Sequence, residues 1–110
     1  MTIIRYLFTA VLQRKPTESM IRAAIGRVAA AAEIESINEL LPLAWSEGNR
    51  WSGGQLLLEG YITFSGKDRL VFCEVASAEA IDEKAVAAAL KRSLKGEWRE
   101  VRQDSTTVGD

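Results

Sequence analysis

The sequence predicts an α+β fold, a two-layer sandwich of ferredoxin-like order β-α-(α)-β-β-α-β with its helices on one face of an antiparallel sheet. Three observations carry this. Two segments repeat apolar residues at helical spacing. Others concentrate β-branched and aromatic residues. The two kinds alternate along the chain with short connections. At 110 residues there is room for one domain with its own core, and 47% hydrophobic with 26% charged residues is the balance of a globular chain.

Residues 2–12 read as the first strand. Ile4, Leu7, Phe8, Val11 and Leu12 also sit at helical spacing, but the Tyr, Phe, Ile and Thr content decides for a strand. Residues 13–16 form a break. Thr17 then serves as an N-cap with Glu18 in the first turn, and Ile21, Ala24, Ile25, Val28, Ala29 and Ala32 give an amphipathic helix over 17–33. Ser36 is expected to cap a second, short helix that ends before Pro42. The Gly- and Ser-rich stretch 46–54 reads as a loop, flanked or entered by Trp45 and Trp51, which are expected to fold back over the core edge.

Residues 55–64 and 69–76 read as a β-hairpin with its turn at 65–68. Residues 77–82 connect it to a helix whose apolar stripe is Val86, Ala89, Leu90 and Leu94, with Gly96 as the stop. Residues 97–102 read as a last edge strand. The domain is therefore expected over 1–102, with a frayed polar tail over 103–110.

Composition excludes much chemistry. There is no histidine and one cysteine, Cys73, so an internal disulfide is impossible and a zinc site has almost nothing to bind with. Cys73 reads as a small buried hydrophobe. No apolar run is long enough to span a membrane, and the expected location is the cytoplasm. Ser52-Gly53-Gly54-Gln55 resembles the tail of the ABC ATPase signature, but the chain has no GxxxxGK[ST] phosphate loop. No catalytic residue, metal or cofactor is assigned.

Charge is segregated along the chain. Residues 1–30 carry five bases and one acid, residues 31–83 ten acids and three bases, and residues 84–102 six bases and two acids. Folding is expected to turn such segregation into oppositely charged surfaces.

The hairpin register follows from the turn. Either a two-residue turn at Gly66-Lys67 or a four-residue loop pairs Phe64 with Arg69, Ile62 with Val71 and Glu59 with Glu74. One face then carries Leu58, Gly60, Ile62, Phe64, Val71, Cys73 and Val75, and must meet the helices. The other carries Leu57, Glu59, Tyr61, Leu70, Phe72 and Glu74, which nothing within a two-layer fold covers. The facing glutamates repel one another, and Arg5 on the first strand is placed to bridge Glu74. Adjacent carboxylates are also the pattern of an acid/base couple, the third and weakest of the functions considered.

The expected function is therefore non-catalytic. The chain reads as a protein-binding adaptor or regulator, self-associating as a homodimer, that acts through Leu57, Glu59, Tyr61, Leu70, Phe72, Glu74 and Arg5. The alternative is a nucleic-acid-associated regulator that uses a basic helix face formed by Lys84, Lys91, Arg92 and Lys95.

Overall fold

The computed structural model describes residues 2–34, 36–46, 50–57 and 60–107, with the backbone alone for 36–46. Its elements are β1 (Thr2–Val11), α1 (Glu18–Ala31), β2 (Ser36–Ser46), β3 (Arg50–Leu57), β4 (Gly60–Lys67), β5 (Leu70–Ser77), α2 (Glu83–Ser93) and β6 (Arg99–Thr107). The six strands form one antiparallel sheet in the order β2-β3-β4-β5-β1-β6, and α1 packs on α2 over one face. Strands β4-β5-β1-β6 have the expected ferredoxin-like order, and the β2–β3 hairpin extends it at the β4 edge.

Local chemistry explains the helices. The Thr17 hydroxyl accepts the Met20 N–H at 3.3 Å, and Asp82 caps α2 by accepting the Ala85 N–H at 3.1 Å. Arg22 bonds Glu18 one turn earlier at 2.8 Å. All six residues of the first stripe and all four of the second are buried. They meet Tyr6, Phe8, Ile62, Phe64, Val71, Cys73 and Val75, each at most 1% exposed. Such fully buried side chains contribute about 1.5–3 kcal/mol each. The Tyr6 hydroxyl accepts the Ile81 N–H at 3.3 Å, so its burial leaves no stranded polar atom.

Four expectations are corrected. The short helix before Pro42 is strand β2. Pro42, which cannot donate to a ladder, lies on an edge strand where the register shifts between Leu41 and Ala44. The expected loop at 46–54 contains most of β3. Gly54 is there for close approach, since a Cβ would meet the Ile62 carbonyl oxygen at 2.2 Å. Trp51 is a core residue, 3% exposed. Residues 103–107, expected to fray, pair with β1 from Thr2 to Arg5 and, at Gln103, Tyr6.

The fourth correction is the hairpin register. The turn lies at Asp68-Arg69, two residues beyond the expected place, with Lys67 opposite Leu70 and Ile62 opposite Val75. Asp68 supplies the left-handed residue (φ 54°), which its short polar side chain tolerates. Gly66 belongs to the strand, because a Cβ there would meet the Leu70 carbonyl oxygen at 2.1 Å and the Trp51 indole at 3.0 Å. Moving the turn by two residues changes every partner by an even step, so each side chain keeps its face.

Candidate functional site on the open sheet face

The helices cover one face of the sheet and leave the other open. On the open face β1 presents Ile3, Arg5, Leu7, Thr9 and Val11, β5 presents Leu70, Phe72 and Glu74, and β4 presents Tyr61 and Thr63. β6 adds Arg102, Asp104 and Thr106, opposite Leu7, Arg5 and Ile3.

The centre of this face is polar. The Arg5 guanidinium donates to the Asp104 carboxylate at 2.8 Å through Nε and to the Thr106 hydroxyl at 3.1 Å through Nη2. Arg102 reaches the other Asp104 oxygen at 3.3 Å. The hydrogen bond and charge of Asp104 hold the Arg5 pKa above its ordinary value. Beside them the Tyr61 hydroxyl lies within electrostatic reach of both Glu74 and Arg5. Burial and then the Glu74 carboxylate push the Tyr61 phenol up, while Arg5 opposes them. A neutral phenol, a carboxylate and a guanidinium thus meet on three neighbouring strands. Together they offer donors and charges of both signs.

One end of the face is apolar. An open groove of about 730 Å³ is lined by Thr9, Val11, Leu70, Phe72, Trp98, Arg99 and Val101, among others. Its floor is held by Thr9, 7% exposed, whose hydroxyl donates to the Val71 carbonyl at 2.9 Å. Trp98 is fixed by donating its indole N–H to the Leu94 carbonyl at 2.8 Å. A second groove, of about 490 Å³, lies on the other side of the Leu70–Phe72 ridge and is bounded by Arg50, Ser52, Ser65 and Lys67.

The structure thus brings Arg5, Tyr61, Leu70, Phe72 and Glu74 to one face, as expected, and changes three details. Leu57 is in the core at 4% exposure. β3 ends there and pairs it with Gly60, so Leu56, opposite Tyr61, takes the open-face position instead. Glu74 faces Thr63 and Leu7, not Glu59, which lies outside the described residues. Arg5 takes Asp104 as its ion-pair partner in place of Glu74.

Sequence reasoning missed Asp104, Thr106 and Val101 as site residues, because the polar β6 has no alternation to reveal it, and Trp98, which lies in the connection before that strand. Val11 could have been found by continuing the alternation of β1. Cys73 is fully buried, and burial, followed by the Glu74 charge, pushes its thiol far up, so it is no nucleophile at neutral pH.

The basic residues do not form one helix face. Lys84, Lys91 and Arg92 are exposed on α2, but Lys95 lies beyond its end. Arg92 and Lys95 share a cleft of about 290 Å³ with Arg14, while Lys91 opens onto a different hollow beside Glu97. Among the described residues no group of three or more His, Cys, Asp or Glu could hold a metal ion, and no helix is long and apolar enough to cross a membrane.

No family model and no curated protein matches the sequence. Among solved structures, the crystal structure of the adenosylmethionine decarboxylase from Aquifex aeolicus is similar. Its TM-score is 0.62 at 13% sequence identity, over 96% of this chain and 88% of that one. At that identity the likeness shows a shared fold, an α+β sandwich with helices on one face of the sheet.

Proposed function

We propose that the chain is a binding protein whose open sheet face docks a protein partner. The observation that carries this is where the exposed large apolar side chains lie among the described residues. Val11 (59% exposed), Leu70 (40%) and Val101 (50%) all border the groove at the apolar end of that face. Apolar residues scattered singly over a surface mean little, but a contiguous patch beside a polar centre is the anatomy of an interface. A partner that inserts an apolar anchor beside Phe72 would also meet Arg5, Glu74 and Asp104, which set orientation. Capture from a lysate of the native host with the wild-type chain, Phe72→Glu and Lys91→Glu tests this. The same species should be held by wild type and Lys91→Glu and lost with Phe72→Glu. Its retention by Phe72→Glu would overturn the reading.

A second reading is favoured by one conjunction. The similar structure is named an adenosylmethionine decarboxylase, and the polar centre here carries groups suited to such a ligand. Glu74 would meet a cationic centre, Arg5 a carboxylate and Tyr61 a polar edge. Titration calorimetry with S-adenosylmethionine distinguishes the two readings. Binding that is lost in Glu74→Gln favours a small-molecule site, and its absence leaves the protein-binding reading.

A further inference from the structure

We propose that the outer edge of β6 pairs with β6 of a second copy of this chain, antiparallel and centred on Gln103, to join two domains into one continuous sheet. β6 is the last strand of the sheet and bonds β1 on one side. Its outer backbone groups meet no strand among the described residues, and every residue except Asp104 is exposed. Edge strands are commonly blunted by bulges, Lys or Pro. Here the register shift falls where the pairing passes from Arg102 to Glu100. From Arg102 to Thr107 the strand then runs in unbroken register with β1, with neither Lys nor Pro.

Symmetry and charge choose the register. A two-fold axis normal to the sheet keeps each face on its own side. Paired residues must then share a face, and the axis passes through a residue. Centring on Arg102 sets two arginines opposite each other, and centring on Asp104 sets two aspartates opposite each other, which is destabilising. Within the regular segment, centring on Ser105 or beyond pairs no charges. Within the regular segment only Gln103 as centre places Arg102 across from Asp104, and it does so twice. Both residues project onto the open face, opposite Leu7 and Arg5 of their own chain. Their side chains are 59% and 34% exposed, so Arg102 can exchange its own Asp104, at 3.3 Å, for the partner's Asp104. Pairing of this kind engages the edge of β6, which also lends Arg99 and Val101 to one rim of the groove, but it leaves Leu70 and Phe72, two strands inward on β5, uncovered and sets two open faces side by side. It stands whether or not that groove binds a protein.

Cross-linking tests the register directly. Gln103→Cys places two thiols across the axis with Cβ atoms about 4.5–5.5 Å apart, near disulfide range. Ser105→Cys places them about 13 Å apart, out of range. The native Cys73 is buried and does not compete. Wild type should sediment as a dimer whose share grows with concentration. Gln103→Cys should give a covalent dimer under mild oxidation, whereas Ser105→Cys should not. Arg102→Asp should weaken self-association about tenfold or more by opposing like charges, while Phe72→Glu should leave it unchanged. A wild-type monomer at all concentrations, preferential cross-linking of Ser105→Cys, or an Arg102→Asp dimer as strong as wild type would each overturn the proposal.

Discussion

The covered and open faces of the sheet are made by the same strands, one residue apart, and they follow opposite rules. On the covered side Tyr6, Phe8, Ile62, Phe64, Val71, Cys73 and Val75 are sealed to 1% exposure or less. Their neighbours in the chain, Leu7, Tyr61, Phe72 and Glu74, are half-buried, and Leu70 and Val11 are open to solvent. The sealed part of the covered face carries no charge, whereas the open face gathers Arg5, Glu74, Arg102 and Asp104. A strand's period of two lets one segment serve the core and a surface at once, so a substitution has its effect according to the parity of its position.

The sharpest way to break this comparison is a matched pair. Phe64→Ala should lower the unfolding free energy by about 3–5 kcal/mol, since its ring is fully enclosed. Phe72→Ala, at the half-buried position, should cost about 1 kcal/mol. Urea denaturation of the two variants measures the gap, and equal losses would mean that the open face is part of the core.

A smaller effect probes the hairpin that holds both faces in register. Gly66→Ala brings a Cβ against the Leu70 carbonyl and the Trp51 indole, and should cost about 1–3 kcal/mol in the same assay. A neutral result would contradict the register.

The smallest effect concerns the helix side of β6. Partial desolvation of this otherwise exposed side chain, then a hydrogen bond and charge from Glu83, hold the Glu100 pKa above the ordinary carboxylate value. The folded state thus binds this proton more tightly than the unfolded state. Its contribution to stability is full below the unfolded value, about 4.3, and is lost as pH rises through the folded value. Glu100→Gln should therefore raise the melting temperature at neutral pH, and the gain should vanish on acidification through that window.

Much of this was legible in the sequence because burial leaves a period. The stripes of α1 and α2, the Thr17 cap and the alternation in β1 and β5 all record which side meets the core. Arg5, Tyr61, Leu70, Phe72 and Glu74 were found as the complement of that alternation. What was not legible lacked such a record. The apolar residues of β2 fit a helix as well as a strand, and Pro42 resembles a helix stop. The first half of β3 contains Ser52, Gly53 and Gly54, which resemble a loop until their close backbone contacts are seen. The second half of β6 is polar on both sides. The hairpin register escaped for a different reason: a slip by an even number of residues preserves every face, so patterning could not choose between Gly66 and Asp68 as the turn residue. Leu57 was misplaced because nothing in its neighbourhood marked the end of β3.

The division between a folding face and a binding face is tested most directly by Phe72→Glu, with unfolding free energy and partner capture measured on one preparation. The account predicts a stability within about 1 kcal/mol of wild type and loss of the captured species. Capture undiminished in the folded variant would contradict it.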